Sequence, residues 1–438
     1  MKTMTAISFD DLVEQFLGTR LPSPMADSIS FATLPPDARD FILRMLALMK
    51  QARYPVNDIN PIFMNVLGTM VPNVLPSSWG GRIPPLTVPD RHRKLDAYVN
   101  AQSWSDGKKP PLFVDMGCGF PPVTTVDTAN RLPDWQITGV DRFFAKYVVY
   151  DDEGHYACFD GDGVYQYFQP MMTRSGMALY ADPASTRTHF ENLFKDLVTL
   201  VDNKKDGLTS ETVARNGHRL VHRQIRDFET ANLSFLETEI EKLDLPPARV
   251  IRCMNVLIYF PTPVREKMRQ QAGALLEEGG LLIAGTSGFG IDGRYTVYRK
   301  IAGAIAPVEF AFSLENLRSV GIMPYFTLHG DDAEASLLAD LMSTVRADRP
   351  YWAAFSRRVD HLLAHHAITR RGANGFLTPP PEDIPRTELW ERMAALWRQM
   401  VYEGFLDRTV DVLVKAGYEA WENAAGDIAI RPPASFLP

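Results

Sequence analysis

The sequence predicts an α/β fold built on a doubly wound, mostly parallel sheet, and three observations lead to that prediction. An apolar run at 113–114 meets Asp115 and a Gly-x-Gly turn formed by Gly117 and Gly119, the pattern of a buried strand that leads through a tight turn into a helix. Two later apolar segments also end in an acid. A helix, a Gly-Gly stop and another apolar run follow at 262–286, which is the alternation expected of a parallel sheet.

The loop after the first strand favours a ligand without phosphate groups. Gly117 and Gly119 lack a Cβ, so the backbone can pass close to a ligand. A dinucleotide-binding loop needs a third glycine where this chain has Pro122. Pro121 and Pro122 also have no backbone N–H to donate to a pyrophosphate. Asp115, at the carboxyl end of the strand, is placed instead to hold an ammonium group.

The strands that follow extend the same pattern. The second strand, at 134–141, ends in Asp141, which lies about twenty residues past Gly119, the spacing at which such folds deliver a carboxylate to ribose hydroxyls. In chain order the sequence then predicts a third strand at 219–228 that also ends in an acid, a fourth strand with its exit loop at 248–260, a helix at 262–277 and a fifth strand at 281–286.

Residues 113–290 resemble the class I S-adenosylmethionine-dependent methyltransferases, because these elements occur in the same order. The segment 255–260, with Arg252 and Cys253 just ahead of it, is similar to the fourth-strand motif of the chemotaxis-receptor glutamate methyltransferases. The N-terminal signature of that family is missing, so a receptor substrate does not follow. Pro121 also differs from the commoner third glycine of the methyltransferase loop.

The resemblance implies a Rossmann-like core that binds S-adenosyl-L-methionine, and it gives each matching residue a role. Carboxylates suit this cofactor because it carries an ammonium and a sulfonium group. The sulfonium is already a good leaving group, so alignment of the reactants is the main task and no fixed catalytic triad is needed. The implied roles are Asp115 with Gly117 and Gly119 on the methionine amino and carboxylate groups, Asp141 on the ribose, Asp227 on the adenine amino group with Phe228 beside the ring, Asn255 under the sulfonium and Tyr259 near the transferred methyl.

The implied activity is methyl transfer to an oxygen, nitrogen or carbon atom of a small metabolite by in-line displacement. Two alternatives remain open at this point. An enzyme of the same cofactor class transfers or cyclises the aminocarboxypropyl arm instead, and a cofactor-binding regulator turns nothing over. Proximity and orientation supply roughly 7–11 kcal/mol in reactions of this type. The sequence names neither the acceptor nor a general base.

Composition restricts the partners and the compartment. The chain has 438 residues, 45% of them hydrophobic and 23% charged, with a formal net charge of −7. An acidic chain is a poor match for nucleic acid or for an anionic membrane surface. We found no apolar run of roughly 18 residues or more and no signal-peptide pattern, so we expect a cytoplasmic protein with a small-molecule substrate. The oligomeric state stays open.

The cysteines and histidines do not predict a metal site or a disulfide framework. The three cysteines (Cys118, Cys158 and Cys253) are scattered, which is typical of buried filler in a reducing compartment. His361 and His365 have helical spacing but no glutamate base between them, so a solvated helix face is the better interpretation. We therefore expect no bound metal.

Three regions are predicted along the chain. Residues 1–105 form an N-terminal helical cover, interpreted equally well as a lid or as a packing domain. Residues 106–290 form the cofactor-binding core, interrupted at 151–217 by an insertion with β-hairpins that is a candidate for substrate recognition. Residues 291–438 form a helical C-terminal region. Its last hairpin, at 417–431, is a better candidate for closing the sheet than the helix–turn–strand segment at 314–329.

Overall fold

The computed structural model describes residues 7–27, 34–65, 67, 87–104, 110–169, 179, 182–201, 209–288, 293–318, 323–379, 381, 384, 386–434 and 436. The chain divides into two compact units. The smaller unit comprises Asn73–Asp90 and Asp106–Pro246, and the larger unit comprises Met1–Pro72, Arg91–Ser105 and Pro247–Pro438.

Helices and strands alternate in a mixed α/β architecture. The helices are α1 (Phe9–Leu17), α2 (Ser23–Ala26), α3 (Pro36–Gln51), α4 (Pro61–Asn65), α5 (Arg93–Asn100), α6 (Val123–Arg131), α7 (Pro183–Val198), α8 (Thr262–Leu275), α9 (Ala333–Ala347), α10 (Arg349–His365), α11 (Arg386–Tyr402) and α12 (Phe405–Lys415). The strands are β1 (Leu112–Met116), β2 (Gln136–Asp141), β3 (Tyr147–Tyr150), β4 (Tyr156–Phe159), β5 (Tyr165–Gln169), β6 (Glu211–Arg215), β7 (His218–His222), β8 (Leu233–Glu237), β9 (Ala248–Met254), β10 (Leu276–Ser287), β11 (Gly293–Ile301), β12 (Ala304–Phe312), β13 (Ala420–Glu422) and β14 (Ile428–Ile430).

The smaller unit contains the βαβ element that the sequence predicts. Strand β1 runs parallel to β2, with Asp115 opposite Gly139, and β2 runs parallel to β8. Helix α6 connects β1 to β2 and buries a narrow face of small residues that includes Thr125 and Ala129. Both strands are buried along most of their length, as expected of parallel strands covered on two faces.

The third parallel strand is not where the sequence analysis placed it, at 219–228. Residues of β7 belong to a separate antiparallel sheet, and Gln224–Phe228 form a 3-10 turn. The third parallel strand is β8, which ends in Glu237. Both segments are short, carry a few apolar residues and end in an acid, so the sequence pattern did not distinguish them.

The insertion forms a five-stranded antiparallel sheet in the order β5-β4-β3-β7-β6, and its hairpins lie where the sequence predicts them. Helix α7 covers one face of this sheet. It begins at Pro183, because Asp182 caps it by accepting a hydrogen bond from the Ser185 N–H at 3.0 Å and Pro183 is compatible with the first turn. The covered face buries Val149, Ala157, Phe159, Phe168 and Leu220 against Phe190 and Leu197 of α7.

In the larger unit, strands β9 and β10 are parallel and connected by α8, as predicted. The strand order continues as β9-β10-β11-β12-β14-β13, with antiparallel pairing from β10 onward. The C-terminal hairpin predicted at 417–431 is present, and its strand β14 pairs with β12.

Two features of the C-terminal region differ from the sequence analysis. Strands β11 and β12 occupy residues expected to be helical, and the tight turn between them places Ala302 and Gly303 at positive φ. This turn lacks the Asn-Gly or Asp-Gly signal that usually reveals a hairpin. The helix–turn–strand segment predicted at 314–329 is wrong, since it contains two 3-10 turns, Leu314–Arg318 and Met323–Tyr325, and no strand among its described residues.

Helices α1, α3 and α4 lie in the region predicted to be helical, and part of an apolar, methionine-rich stretch at 61–71 lies outside the described residues. Helix α3 packs within the larger unit, where the Gln51 side chain donates a 2.8 Å hydrogen bond to Asp340 of α9. None of the helices in the described ranges is both long and apolar enough to cross a membrane.

Candidate functional site

The Gly-x-Gly loop of the smaller unit is fixed to the end of the neighbouring strand. Gly117 and Gly119 both have φ of +71°, which an L-residue rarely adopts. The Gly117 and Cys118 N–H groups donate to the Val140 carbonyl oxygen at 2.7 and 3.1 Å. The loop is therefore held by β2 and is not free to relax into a helical start.

The Asp115 carboxylate is held in place from the following helix. Its side chain lies at the end of β1 and is 3% exposed. The Thr125 hydroxyl, on the first turns of α6, donates to Asp115 Oδ2 at 2.6 Å. A buried carboxylate with an orienting donor fits the predicted binding of an ammonium group.

Asp141 lies at the end of β2 and accepts hydrogen bonds from the loop. The Gly119 N–H donates to Oδ2 at 3.0 Å, and the Phe143 N–H donates to Oδ1 at 3.3 Å. Burial raises the pKa of Asp141 above its usual value, and the two N–H groups and the charge of Arg142 only partly offset that effect. The strand end thus carries a desolvated carboxylate, which gains from a hydroxyl donor more than an exposed aspartate does.

Cys118 fills the space beneath the loop. A Cβ on Gly139 would lie 2.7 Å from the Phe235 ring and 3.2 Å from Cys118 Sγ, so β2 needs a glycine there for the loop to pack. Burial, together with the charges of Asp141 and Asp115, raises the pKa of the Cys118 thiol well above its usual value. A protonated thiol is a poor nucleophile, which agrees with the interpretation of Cys118 as filler.

Asp227 and Phe228 lie on a 3-10 turn and not at the end of a parallel strand. Asp227 is exposed on the 3-10 turn and accepts a hydrogen bond from the Ser210 hydroxyl. The Phe228 ring lies edge-on to Phe120, with 6.3 Å between ring centroids, and Phe120 belongs to the Gly-x-Gly loop. The strand that was predicted to carry both residues is instead a turn of the insertion, and their roles at the adenine stay a prediction.

The end of the true third strand was missed by the sequence analysis. The Glu237 carboxylate, at the end of β8, accepts hydrogen bonds from the Phe144 N–H at 2.9 Å and from Lys146 Nζ at 3.2 Å. The sequence does contain a pattern that indicates this strand, because Glu237 follows an apolar run as Asp141 does.

The second face of the insertion sheet packs on the Gly-x-Gly loop. We call this group the loop cluster; its buried members are Phe120, Ala145, Val148, Cys158 and Tyr167. Half-buried aromatic side chains complete it, among them Tyr150, whose hydroxyl donates to Gln224 Oε1 at 3.0 Å. The insertion and the loop therefore share one small core, while the part of the insertion in substrate recognition stays a prediction.

In the larger unit, Asn255 connects the ends of β9 and β10. Its φ is +59°, and its N–H donates to the Gly285 carbonyl oxygen at 2.8 Å. The side-chain Nδ2 donates to the Ser287 carbonyl oxygen at 3.0 Å, and Oδ1 accepts from the Ser287 N–H at 2.9 Å. Asn255 thus fixes the geometry of this strand end with both side-chain atoms.

Tyr259 follows on a 3-10 turn, Leu257–Tyr259, next to the same strand end. Burial raises the pKa of Tyr259 to about 12, and the positive charge of Arg91 opposes this shift. Arg91 Nε in turn donates to the Gly288 carbonyl oxygen at 2.8 Å, directly after β10. The phenol is therefore protonated at neutral pH and can donate a hydrogen bond.

A further group of side chains at 91–100 was assigned by sequence only to the helical cover. Arg252, in the middle of β9, is fully buried and pairs with Asp96 of α5 at 2.9 Å. His92 begins the same helix and is 7% exposed. The sequence shows a run of four basic residues from Arg91 to Lys94, and of these four His92 alone is buried.

No group of three or more histidine, cysteine, aspartate or glutamate side chains in the described ranges is arranged to hold a metal ion. His361 and His365 stack with 6.3 Å between ring centroids, as their helical spacing predicts.

Comparison with known proteins gives structural neighbours of low similarity. No family model and no curated protein sequence matches the chain. A candidate S-adenosyl-L-methionine-dependent methyltransferase from Methanococcus maripaludis is 12% identical, with 80% of this chain and 88% of that chain covered and a TM-score of 0.22. An O-methyltransferase family 2 protein from Planctomyces limnophilus, in complex with apigenin, is 12% identical over 64% of this chain and 71% of its own, with a TM-score of 0.26.

A third solved structure, coclaurine N-methyltransferase bound to N-methylheliamine and SAH, is 11% identical over 96% of this chain and 98% of its own, with a TM-score of 0.23. At these TM-scores the comparisons do not define the family of the chain. The functional conclusion therefore depends on the residues of the site.

Proposed function

We propose that this chain is an S-adenosyl-L-methionine-dependent methyltransferase that acts on a small molecule. The observation that carries the proposal is the hydrogen bond between the Gly119 N–H and Asp141 Oδ2, because it joins the Gly-x-Gly loop to the acid predicted to bind the ribose. Asp115, fixed by Thr125, adds a buried carboxylate at the adjacent strand end.

The side chains and backbone at these strand ends fit S-adenosylmethionine better than they fit a dinucleotide. Asp115 supplies a carboxylate for the ammonium group, and Asp141 supplies one for the ribose hydroxyls. Pro121 and Pro122 leave the loop without the N–H groups that a pyrophosphate requires. The bound cofactor would supply an electrophilic methyl group on a positively charged sulfur.

Four other residues have proposed roles that the sequence resemblance implies. Asn255 is proposed to order the strand end beneath the sulfonium. It acts through Ser287, because its side-chain nitrogen and oxygen are both hydrogen-bonded to the Ser287 backbone. Tyr259 is the proposed catalytic residue, a protonated phenol that approaches the transferred methyl. Phe228 is proposed to lie beside the adenine ring and Asp227 to accept from its amino group; the contact of Phe228 with Phe120 supports the first of these roles more directly than the second.

The acceptor is proposed to be a small metabolite, and methyl transfer goes to oxygen, nitrogen or carbon. The acidic net charge of −7 supports a small molecule over nucleic acid. A chemotaxis-receptor substrate is not proposed, because the similarity to that family covers only 255–260.

The decisive experiment identifies the nucleoside product. Calorimetry first measures the binding of S-adenosylmethionine and S-adenosylhomocysteine. The protein is then incubated with S-adenosylmethionine and a low-molecular-mass cell extract, and mass spectrometry detects the product. S-adenosylhomocysteine is the expected product. Methylthioadenosine would show transfer or cyclisation of the aminocarboxypropyl arm, and binding without either product would show a regulator. Tight NAD binding with no response to S-adenosylmethionine would overturn the proposal.

A further inference from the structure

Strand β6 forms one edge of the insertion sheet, and its outer side pairs with no strand in the described ranges. Proteins commonly protect such an edge with a proline, a lysine, a β-bulge or a covering element. The opposite edge of this sheet shows such features, because β5 is buried along most of its length and has a register shift in its pairing with β4. Strand β6 contains neither proline nor lysine, its register with β7 has no shift, and Thr212, Ala214 and Arg215 are exposed. The edge is therefore accessible to another strand.

The turn between β6 and β7 determines which backbone groups of β6 point outward. Asn216 and Gly217 form a two-residue turn with φ of +53° and +83°, and Arg215 lies opposite the first residue of β7. The two residues that flank such a turn form a hydrogen-bonded pair, and hydrogen-bonded pairs then alternate with non-hydrogen-bonded pairs along the ladder. Thr212 and Ala214 are in the non-hydrogen-bonded pairs, so their N–H and C=O groups point away from β7. Among the described residues nothing pairs with these outward groups.

The charged side chains of β6 are placed symmetrically about its central residue, Val213. Glu211 lies two positions before it and Arg215 two positions after it, and residues two apart share one face of a sheet. If two copies of β6 pair antiparallel about a two-fold axis at Val213, each Glu211 lies opposite Arg215 of the partner subunit. Opposite charges at such directly opposed positions stabilise an antiparallel pair, and like charges destabilise it. The strand is thus complementary to itself.

The same two-fold axis also satisfies the outward backbone groups. It places Thr212 opposite Ala214 of the partner subunit, and the two residues of such a pair exchange N–H···O=C hydrogen bonds. Because Thr212 and Ala214 carry small, exposed side chains, a second strand can approach without a steric obstacle from them. A two-fold axis at either neighbouring residue would no longer bring Glu211 opposite Arg215 of the partner subunit. The backbone pattern and the charges therefore select the same register.

We propose that β6 is the docking edge for a second copy of this chain, so that two five-stranded insertion sheets join into one antiparallel sheet. The interface is isologous, because the same edge serves both copies. It involves residues of the insertion and does not depend on the proposed function. An edge of five residues buries less surface than a permanent dimer requires, so we expect monomer and dimer to be in equilibrium.

Sedimentation velocity of the full-length protein between about 1 and 100 µM tests the proposal, because a monomer–dimer equilibrium in this range raises the sedimentation coefficient with concentration. Ala214→Pro removes an outward N–H group and leaves the hydrogen bonds to β7 in place, so it should weaken dimerisation about tenfold or more. Thr212→Val is the matched control, since it changes an exposed side chain of the same strand and keeps both backbone groups, and it should dimerise as the wild type does. Far-UV circular dichroism and Tm verify that the insertion stays folded in both variants.

Charge exchange gives a second test that leaves the backbone unchanged. Glu211→Arg and Arg215→Glu each place like charges opposite each other in the dimer, so each should weaken dimerisation about tenfold, and the double variant should restore it. Arg187→Glu, which changes an exposed charge on α7, is the charge control and should dimerise as the wild type does.

A wild-type protein that stays monomeric over the whole concentration range would overturn the proposal. A dimer that persists in Ala214→Pro and in both single charge variants would overturn it too, because another surface would then hold the two copies together. Neither result depends on whether the chain methylates a substrate, so failure of the proposed function would leave this inference standing.

Discussion

The carboxylate of Asp141 accepts a hydrogen bond of 3.0 Å from the backbone N–H of Gly119. The two residues are 22 positions apart in sequence, on the exits of neighbouring parallel strands. This bond makes the loop and the acid one structural element, so a change in either should alter the other.

Substitution of Asp141 by asparagine should weaken the binding of S-adenosylhomocysteine by about 1–3 kcal/mol, because a charged acceptor is lost. Burial raises the pKa of Asp141, so its carboxylate takes up a proton at a higher pH than an exposed aspartate does. The affinity of the wild-type protein should therefore fall as the pH is lowered, and the affinity of Asp141→Asn should lack that dependence. Calorimetry at several pH values measures both effects.

The control for Asp141 is Asp162→Asn, which changes an exposed acid in a turn of the insertion. We expect wild-type affinity at every pH. Equal weakening in the two variants would indicate a general charge effect and no ribose contact.

Substitution of Thr125 by valine removes the hydroxyl that donates to Asp115 Oδ2 at 2.6 Å. Since a buried carboxylate loses one hydrogen-bond donor, the free energy of unfolding should fall by about 1–3 kcal/mol. Affinity for S-adenosylhomocysteine should fall as well. Affinity for methylthioadenosine, which lacks the α-amino and carboxylate groups of the methionine moiety, should stay close to that of the wild-type protein.

Thr128→Val is the control on the same helix, where the lost hydroxyl donates to the Thr124 carbonyl oxygen at 3.0 Å. Urea unfolding and calorimetry should show little change in this variant. If Thr125→Val weakens both ligands alike, Asp115 has no special role toward the amino-acid moiety.

Substitution of Asn255 by alanine removes both hydrogen bonds to Ser287 and leaves an alanine at φ of +59°. The expected loss of stability is about 2–4 kcal/mol, from two hydrogen bonds and an unfavourable backbone. Asn255→Gly removes the same hydrogen bonds but tolerates positive φ, so it should cost about 1 kcal/mol less. Equal losses in urea unfolding would show that the backbone at 255 relaxes.

Substitution of Tyr259 by phenylalanine should preserve cofactor affinity and lower turnover about tenfold or more, as expected for one lost hydrogen bond in the transition state. Because the pKa of Tyr259 is raised to about 12, its phenol donates throughout the neutral range and adds no step to the pH–rate profile below pH 10. Tyr402→Phe, at a side chain that is 91% exposed, is the control. A normal rate in Tyr259→Phe would exclude the phenol from catalysis.

The sequence predicted the elements whose signals are local. The first strand, its Gly-x-Gly turn and Asp141 lie where the residues indicated, because alternating strands and helices with glycine stops identify themselves in short windows. The hairpins of the insertion were also found, since glycines and acids mark their turns.

The errors share a physical cause: the pairing of strands depends on contacts between residues that are far apart in the sequence. Nothing within 219–228 reveals that β7 pairs with β3, some 70 residues earlier in the chain, and not with the parallel strands. The burial of His92 was missed for a related reason. The charge of Arg252, 160 positions away, acts on the His92 ring, and no local pattern predicts that a histidine in a basic run will be enclosed.

The loop cluster makes the insertion part of the ligand-binding equilibrium. Cys158 and Tyr167 pack on Phe120, so local opening of the insertion hairpins removes the support of the Gly-x-Gly loop. Binding and opening are thermodynamically linked. If opening of the hairpins lowers the affinity for a ligand by some factor, binding of that ligand lowers the equilibrium constant for opening by the same factor. Amide hydrogen exchange in β4 and β5, which carry none of the proposed cofactor contacts, should therefore slow when the loop is occupied.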